Sequence, residues 1–448
     1  MKATQYITDK FGTLRKYPIE PVFGNMNGIK TITLEEKAKD NGFLGFGAAI
    51  TGSACYNLSL MNSGSRDELL RKIYAADGMG LSIGRLTIGS SDYSKDIYTY
   101  DDHENDLTLE HFSIERDMEY IIPIIKEILE INPDLKLFAA PWTPPAWMKT
   151  GNTYFGGYMI EKYLGCYAEY LIKYIKAYKE NGINIYALTI QNEPDHSGAG
   201  KMPCCPFHPE MEAKLVIMLK KRLAEENLET KIWMYDHGYN FWDRIKWQYD
   251  NFSELKNASD EIAFHYYDET IDTAMPLFEA YPFLKWHITE GGPRLFERYF
   301  DDWSKWGSII IEGLNYNCSS FTGWNLMLDE TGGPNVGPFY CGGFVTRNSQ
   351  NGELSFSGQY AAYNHFSRFI KPGCLVYRGK ISGNKKIKGL IDSEWKESEA
   401  CATLSENGKL ILHIANPGTK KEQFKIFLHG SLWYIEALPE TIISVVFE

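Results

Sequence analysis

Between residues 43 and 372 the chain alternates short apolar runs with amphipathic segments, and the number of these alternations restricts the fold more than any other feature. The strand candidates are FLGFGAAI (43–50), LSIGRLTIG (81–89), LKLFAAPW (135–142), INIYALTIQN (183–192), KIWMYD (231–236), IAFHYY (262–267), LKWHITE (284–290) and SFTGWNLML (320–328). Between them run segments such as RDELLRKIYAADGMG, MEYIIPIIKEILE, YLIKYIKAYKENG and MEAKLVIMLKKRLAEE, with apolar residues recurring every three or four positions. Several end in Gly, as helix C-caps do. Repeated β–α units imply a parallel sheet, and eight of them close into a (β/α)₈ barrel.

The flanks read differently. From about residue 375 the sequence gives short strands separated by turn residues: CATLSENGKLILHIANPG, EQFKIFLHG, SLWYIEA and TIISVVFE. The first forty residues, with IKTITL, are also strand-like. The expected organisation is therefore N-terminal strands over 1–40, a catalytic-size barrel over 41–372 and a β-sandwich over 373–448, the sandwich drawing on both chain ends. A chain of 448 residues, 44% of them hydrophobic, has the length and core for both parts.

Charge narrows the partners. There are 46 basic and 58 acidic residues, a net −12 with no basic run, which argues against nucleic acid or an anionic membrane surface. No stretch approaches the length of a spanning helix, and MKATQYITDKFGTLRKY has no apolar signal core, so membrane insertion is not expected and a cytoplasmic location is. The eight Cys are scattered without a disulfide rhythm, and the adjacent Cys204 and Cys205 lack the spacing of a zinc or redox pair.

Barrel catalysis happens at the C-terminal ends of the strands. Glu193 closes strand four within LTIQNEPD, and Glu290 closes strand seven within WHITE. Arg85 and Asp92 lie at and after strand two, Trp142 after strand three, and Asp236 and His237 after strand five. His265 and Tyr267 lie on strand six, and Trp324 and Asn325 on strand eight. Two carboxylates at opposed strand ends suit glycoside hydrolysis, in which one carboxyl group protonates the leaving oxygen while the other attacks or activates water. Their surroundings must push their pKa values apart. Arg85 is placed to keep Glu290 ionised, or equally to serve as a structural ion pair in the barrel floor. Asn192 stands beside the first carboxylate, within reach of a sugar hydroxyl. Aromatic residues make up 14% of the chain, including eleven Trp, which suits sugar stacking but also suits a large core.

The motifs FGAAITGSACYNL, IGRLTIGSSDYS with IYTYDD, FAAPWTPPAWMKT, LTIQNEPD, FHYYD, WHITEGGP and FTGWNLMLDETGGPN together resemble glycoside hydrolase family 30, the group that contains lysosomal glucosylceramidase. The resemblance spans most of the chain. It implies a barrel fused to a β-sandwich, with Glu193 as acid/base and Glu290 as nucleophile. It also implies that Asp92, Trp142, Asn192, Tyr267, Trp324 and Asn335 line the subsite of the non-reducing sugar. The expected activity is that of a retaining, exo-acting β-glycosidase of β-glucosidase or glucosylceramidase type, needing no cofactor and no metal and acting on a β-linked glycoside or oligosaccharide.

Other readings stay open at this level. An endo-β-1,6-glucanase or a β-xylosidase or β-fucosidase of the same family, or a non-catalytic carbohydrate-binding barrel, would share much of the pattern. A metal barrel would place clustered His on strand one, and FLGFGAAI has none, so His265 is expected to hydrogen-bond beside the substrate. His196 is placed either to tune the acid or to sit on a surface loop. Tyr98 and Tyr100 either gate the pocket or pack their loop, and Trp147 is expected in the core. The segment SGAGKMPCCPFHPEME after Glu193 shapes the leaving-group side, and the acidic composition favours soluble β-glycosides over a ceramide.

Overall fold

The computed structural model describes residues 2–9, 12–24, 26–197, 201–267, 270–384 and 397–448. Eight parallel strands close a barrel: Gly45–Ala49, Ile83–Ile88, Lys136–Pro141, Ile185–Thr189, Lys231–Gly238, Glu261–His265, Lys285–Glu290 and Cys318–Gly323. They are called the first to eighth barrel strands below. Each falls within or overlaps one of the eight apolar runs. The last run divides, because Met327–Asp329 leaves the barrel and pairs with Val345–Arg347 in a separate three-stranded sheet at the mouth.

Helices surround the barrel where the periodicity placed them, including Ser63–Tyr74, Ile121–Ile131, Leu164–Glu180 and Pro209–Glu225. The helix ending at Glu180 is followed by Gly182 at φ +81°, a left-handed turn that a side chain would strain.

A ten-stranded antiparallel-dominated sheet forms the β-sandwich from both ends of the chain. Ala3–Thr8 pairs with Thr441–Phe447, so the first and last strands are neighbours. Lys30–Leu34 runs parallel to Glu422–Leu428. Alternate residues from the strands of both layers, among them Ile32, Leu412, Phe424, Trp433 and Val445, fill a core of their own. The sandwich docks on the barrel helix Trp303–Asn315. A Cβ at Gly307 would lie 2.8 Å from the Ile442 side chain, and Asn315 bonds the backbone of Ala400 and Gly379 at 3.0 Å each.

The barrel interior is layered. Ile83, Phe138, Ala187, Trp233 and Ala263 form an apolar floor, all fully buried. Inward positions recur every second residue along a strand, so the next layer up is set by the residues two further on. There Ile83 gives way to Arg85, Ala187 to Thr189 and Ala263 to His265. The fifth strand departs from this alternation. Its pairing with the sixth slips after Ala263, leaving Asp236 as an extra residue, with Tyr235 at φ +81° and Asp236 at φ +76°. Such a bulge re-aims side chains. Tyr235 turns outward against Phe264, and Asp236 takes the inward place.

All eight cysteines are free thiols, and no described helix is long and apolar enough to cross a membrane.

Candidate active site

Asp236 is the hub beneath the mouth of the barrel. It is fully buried and accepts four hydrogen bonds: from Arg85 Nη2 and Thr189 Oγ1 at 2.8 Å each, from Thr289 Oγ1 at 2.7 Å and from His265 Nε2 at 3.0 Å. Burial pushes its carboxyl up, but Arg85 and His265 more than offset this and hold it below the usual carboxylate range. Arg85, also fully buried, reaches further, to Glu290 Oε2 at 2.5 Å and Asn192 Oδ1 at 2.8 Å, and lies under the rings of Trp142 and Trp324. Arg85 thus pairs with Glu290 and ties three strand ends together.

Glu290 ends the seventh strand. Its second oxygen, Oε1, accepts the Tyr267 hydroxyl at 2.8 Å, so both oxygens of the carboxylate are oriented. Glu193 lies beyond the end of the fourth strand, in a turn, and has φ +47°. A non-glycine residue in that region is strained, and the surroundings hold it there. The Glu193 N–H donates to the Asp236 carbonyl at 2.9 Å, and the Asn192 N–H to Pro141 O at 2.8 Å. The amide, carboxylate and proline that follow the fourth strand therefore build a rigid turn that aims Glu193 into the mouth. Donor atoms of Glu193, His265 and Glu290 lie within 4.8 Å of one another. This cluster is a poor metal centre. Arg85 already neutralises Glu290, and both ring nitrogens of His265 point at carboxylates.

His265 Nδ1 is 3.0 Å from Glu193 Oε1. Burial lowers the imidazole pKa, but Glu290, Asp236 and Glu193 raise it to about 9. Glu193 answers in the opposite sense. Burial raises its carboxyl, while the hydrogen bond and charge of His265, with His237 and His196, bring it down to about 2. The sequence argument asks for two carboxyl groups with pKa values pushed apart, and here the imidazole of His265 draws that of Glu193 downward.

Asp92 follows the second strand and is buried, and its Oδ1 has no hydrogen-bond partner. Burial and the charges of Glu290 and Glu193 push its pKa well up. The Pro334–Cys341 loop lies directly on it: Val336 N–H donates to Asp92 O at 2.8 Å, and a Cβ at Gly337 would come within 2.7 Å of Asp92 Cβ. Asn335 bonds Phe339 O and Gly337 N–H within that loop and so braces the wall.

The pocket holds about 440 Å³. Asp92, Tyr93, Trp142, Asn192, Glu193, Tyr267, Glu290 and Trp324 form its inner part, and His196, His237, Arg294, Phe296, Phe339 and Tyr340 its rim. Trp142 and Trp324 stack with centroids 5.2 Å apart. Sequence reasoning left Asp236 without a role and missed the rim aromatics. Tyr98 and Tyr100 pack instead of gating, each donating to the buried Asp117 at 2.6 Å, and Trp147 is buried. Residues 198–200 of the segment after Glu193 lie outside the described residues. Within that segment Met202 lines the pocket, while Cys204 helps hold the buried Lys149.

A sequence model of the Glycosyl hydrolase family 30 TIM-barrel domain matches residues 43–370. The chain belongs to glycosyl hydrolase family 30. Within the family it is 31% identical to "Putative glucosylceramidase 3" of Caenorhabditis elegans over 80% of this chain and 72% of that protein. It is 29% identical to an endo-1,6-beta-D-glucanase of Neurospora crassa over 83% of this chain and 78% of the other. The solved structure of the endo-beta1,6-glucanase BT3312 superposes with a TM-score of 0.84 at 27% identity, covering 99% of each chain. The protein is a glycoside hydrolase, and its substrate is a glycoside.

Proposed function

We propose that this family 30 enzyme is a retaining β-glycosidase that removes a terminal β-glucosyl residue by double displacement. The observation that carries the mechanism is the close approach of Glu193 and Glu290, whose carboxylate oxygens come within 4.8 Å. Retaining enzymes need that short separation, whereas inverting enzymes leave room for a water and hold the pair about 6.5–9.5 Å apart. In this reading Glu290, held by Arg85 and Tyr267, attacks C1, and Glu193 protonates the leaving oxygen. Glu193 then takes a proton from the water that frees the sugar. Trp142 and Trp324 provide the face on which the sugar lies, and Asn192 is within reach of its hydroxyls. The wall made by Asp92 and the Pro334–Cys341 loop supports exo action, since the loop packs directly against Asp92.

A second reading, endo-β-1,6-glucanase, is favoured by one feature. The exposed rings of Phe296, Phe339 and Tyr340 at the rim offer stacking surfaces for further sugars on the leaving side. A panel of aryl β-glycosides with NMR of the first-formed sugar tests the main proposal. The β-anomer should appear first and glucosides should be preferred. An initial α-anomer overturns the mechanism, and a preference for xylosides or fucosides moves the substrate to those classes. On β-1,6-linked oligosaccharides, exo action releases glucose from the first turnover, while internal fragments establish the endo reading. No hydrolysis of any glycoside would leave a binding barrel.

A further inference from the structure

We propose that Glu193 and His265 hold one proton between them, with Asp236 fixing the far side of the ring, and that this pair is the acid of the reaction. The inference rests on the reading of Glu193 as acid/base. The geometry leaves little choice about where protons sit. Asp236 accepts from Arg85, Thr189 and Thr289, so it has nothing to donate, and His265 Nε2, at 3.0 Å, must carry the hydrogen of that contact. The contact between Nδ1 and Glu193 Oε1, also 3.0 Å, needs one more hydrogen. Imidazolium with carboxylate, or imidazole with carboxylic acid, satisfies it equally, and the two forms have the same composition and net charge. His265 is 1% exposed, so water does not compete for Nδ1. The other groups facing the pair are Glu290 Oε2 at 3.7 Å, the rings of His237 and Tyr267 just over 6 Å from that of His265, Arg85 behind Asp236, and His196 and Asp92, whose charges interact with that of Glu193.

The raised imidazole and the lowered carboxyl are thus two views of a single bond, and the pair titrates as a unit on the alkaline side. In the first half-reaction the proton passes from Nδ1 to Oε1. The carboxyl group turns about its soft terminal torsion and delivers the proton to the glycosidic oxygen. That oxygen keeps the electron pair of the breaking C1–O bond while Glu290 bonds to C1. In the second, water attacks C1, the electron pair of the C1–Glu290 bond returns to Glu290, and the water proton restores the pair. Glu193 therefore needs no raised pKa of its own.

Histidine ¹⁵N and carboxyl ¹³C NMR on the full chain tests this directly. His265 Nε2 should stay protonated, the proton between Nδ1 and the Glu193 carboxyl should stay bound beyond pH 8, and the Glu193 carboxyl signal should move at the same pH as the imidazole. Separate titrations, or His265 titrating near its ordinary value of about 6.5, overturn the proposal. The alkaline limb of kcat/KM for an alkyl β-glucoside should follow that titration and move down by about two pH units or more in His265→Gln, toward the carboxyl range. An unmoved limb also overturns it. Azide rescue of Glu193→Ala tests the underlying assignment separately. Equal loss with all leaving groups and no rescue removes Glu193 as the acid, even where NMR finds the shared proton.

Discussion

His265 ends the sixth barrel strand and His287 lies inside the seventh, and each is 1% exposed. Equal burial would lower both pKa values equally. Only His287 obeys. Its Nε2 meets one carboxylate, Glu261 at 3.1 Å, and its Nδ1 meets the Ser320 hydroxyl at 2.9 Å, while Trp233 covers its face at 3.9 Å. Burial, with Lys231 and Lys285, outweighs Glu261, and the ring is held below its ordinary pKa. His265 meets Glu193 on one nitrogen and Asp236 on the other, with Glu290 close by, and goes the other way. The number of anions facing a ring, more than its burial, separates the centre at the barrel mouth from the centre near its base. The base centre is made to be satisfied; the mouth centre is made to hold a movable proton.

The largest test of that division removes one carboxylate from each centre. Glu290→Ala should cut kcat with every leaving group, on the order of 10⁴-fold or more, since no covalent intermediate can form. Glu261→Gln should leave kcat within a few-fold and cost about 1–3 kcal/mol of stability, because it disturbs the buried bonds to His287, Lys231 and Trp233. Urea unfolding and assay of both variants decide it, and a large kcat loss in Glu261→Gln would break the comparison.

Asp236→Asn should combine both effects. It keeps the shape but leaves Arg85 and His265 without their shared anion, so a loss of about 3–5 kcal/mol in stability is expected. A fall in kcat on the order of 10²-fold should accompany it, as the His265 proton is held less firmly. Unchanged stability would mean that the buried charges rearrange around the amide.

A third carboxyl sharpens the contrast because the charges that act on it are those of Glu290 and Glu193. Asp92 is buried beside Glu290 and Glu193 with one oxygen unpartnered, so a sugar hydroxyl would supply the missing bond. Asp92→Ala should lose about 2–4 kcal/mol of transition-state stabilisation on glucosides and narrow the gap to xylosides, which lack the hydroxymethyl group. An equal fall on both would make Asp92 part of the scaffold.

The barrel, the two-ended sandwich and both carboxylates were legible because each rests on a periodic or terminal signal: apolar runs, turn residues, and Glu at the end of a run. Asp236 was not. Strand alternation points Tyr235 inward after Trp233, and only the extra residue revealed by the strand pairing swaps them. The charge of His265 was hidden for a related reason. It depends on three residues from three other strands meeting at one ring, and no spacing in the chain records that. The rim aromatics belong to loops tied across the mouth, as Arg294 bridges to Cys341, and have no pattern of their own.

The smallest expected effect separates the two histidines by sign. For His265 the folded pKa of about 9 lies above the unfolded value of about 6.5. Its contribution is therefore complete below pH 6.5 and is lost as the pH rises through 9, on the order of 1–3 kcal/mol. For His287 the folded pKa is lowered, so the unfolded chain takes up its proton first and stability is lost as the pH falls below about 6.5. Other buried groups titrate in the same range, including Lys149, which burial lowers to about 8, so differences between variant and parent carry the information. The shift of Glu193 is not added, because it is the same bond seen from its other end. Thermal unfolding from pH 5 to 9.5 should show that His265→Gln loses much of the alkaline decline and keeps the acid one, while His287→Gln does the reverse. If both variants flatten the same limb, the anions around each ring do not set its charge, and the distinction between the two centres fails.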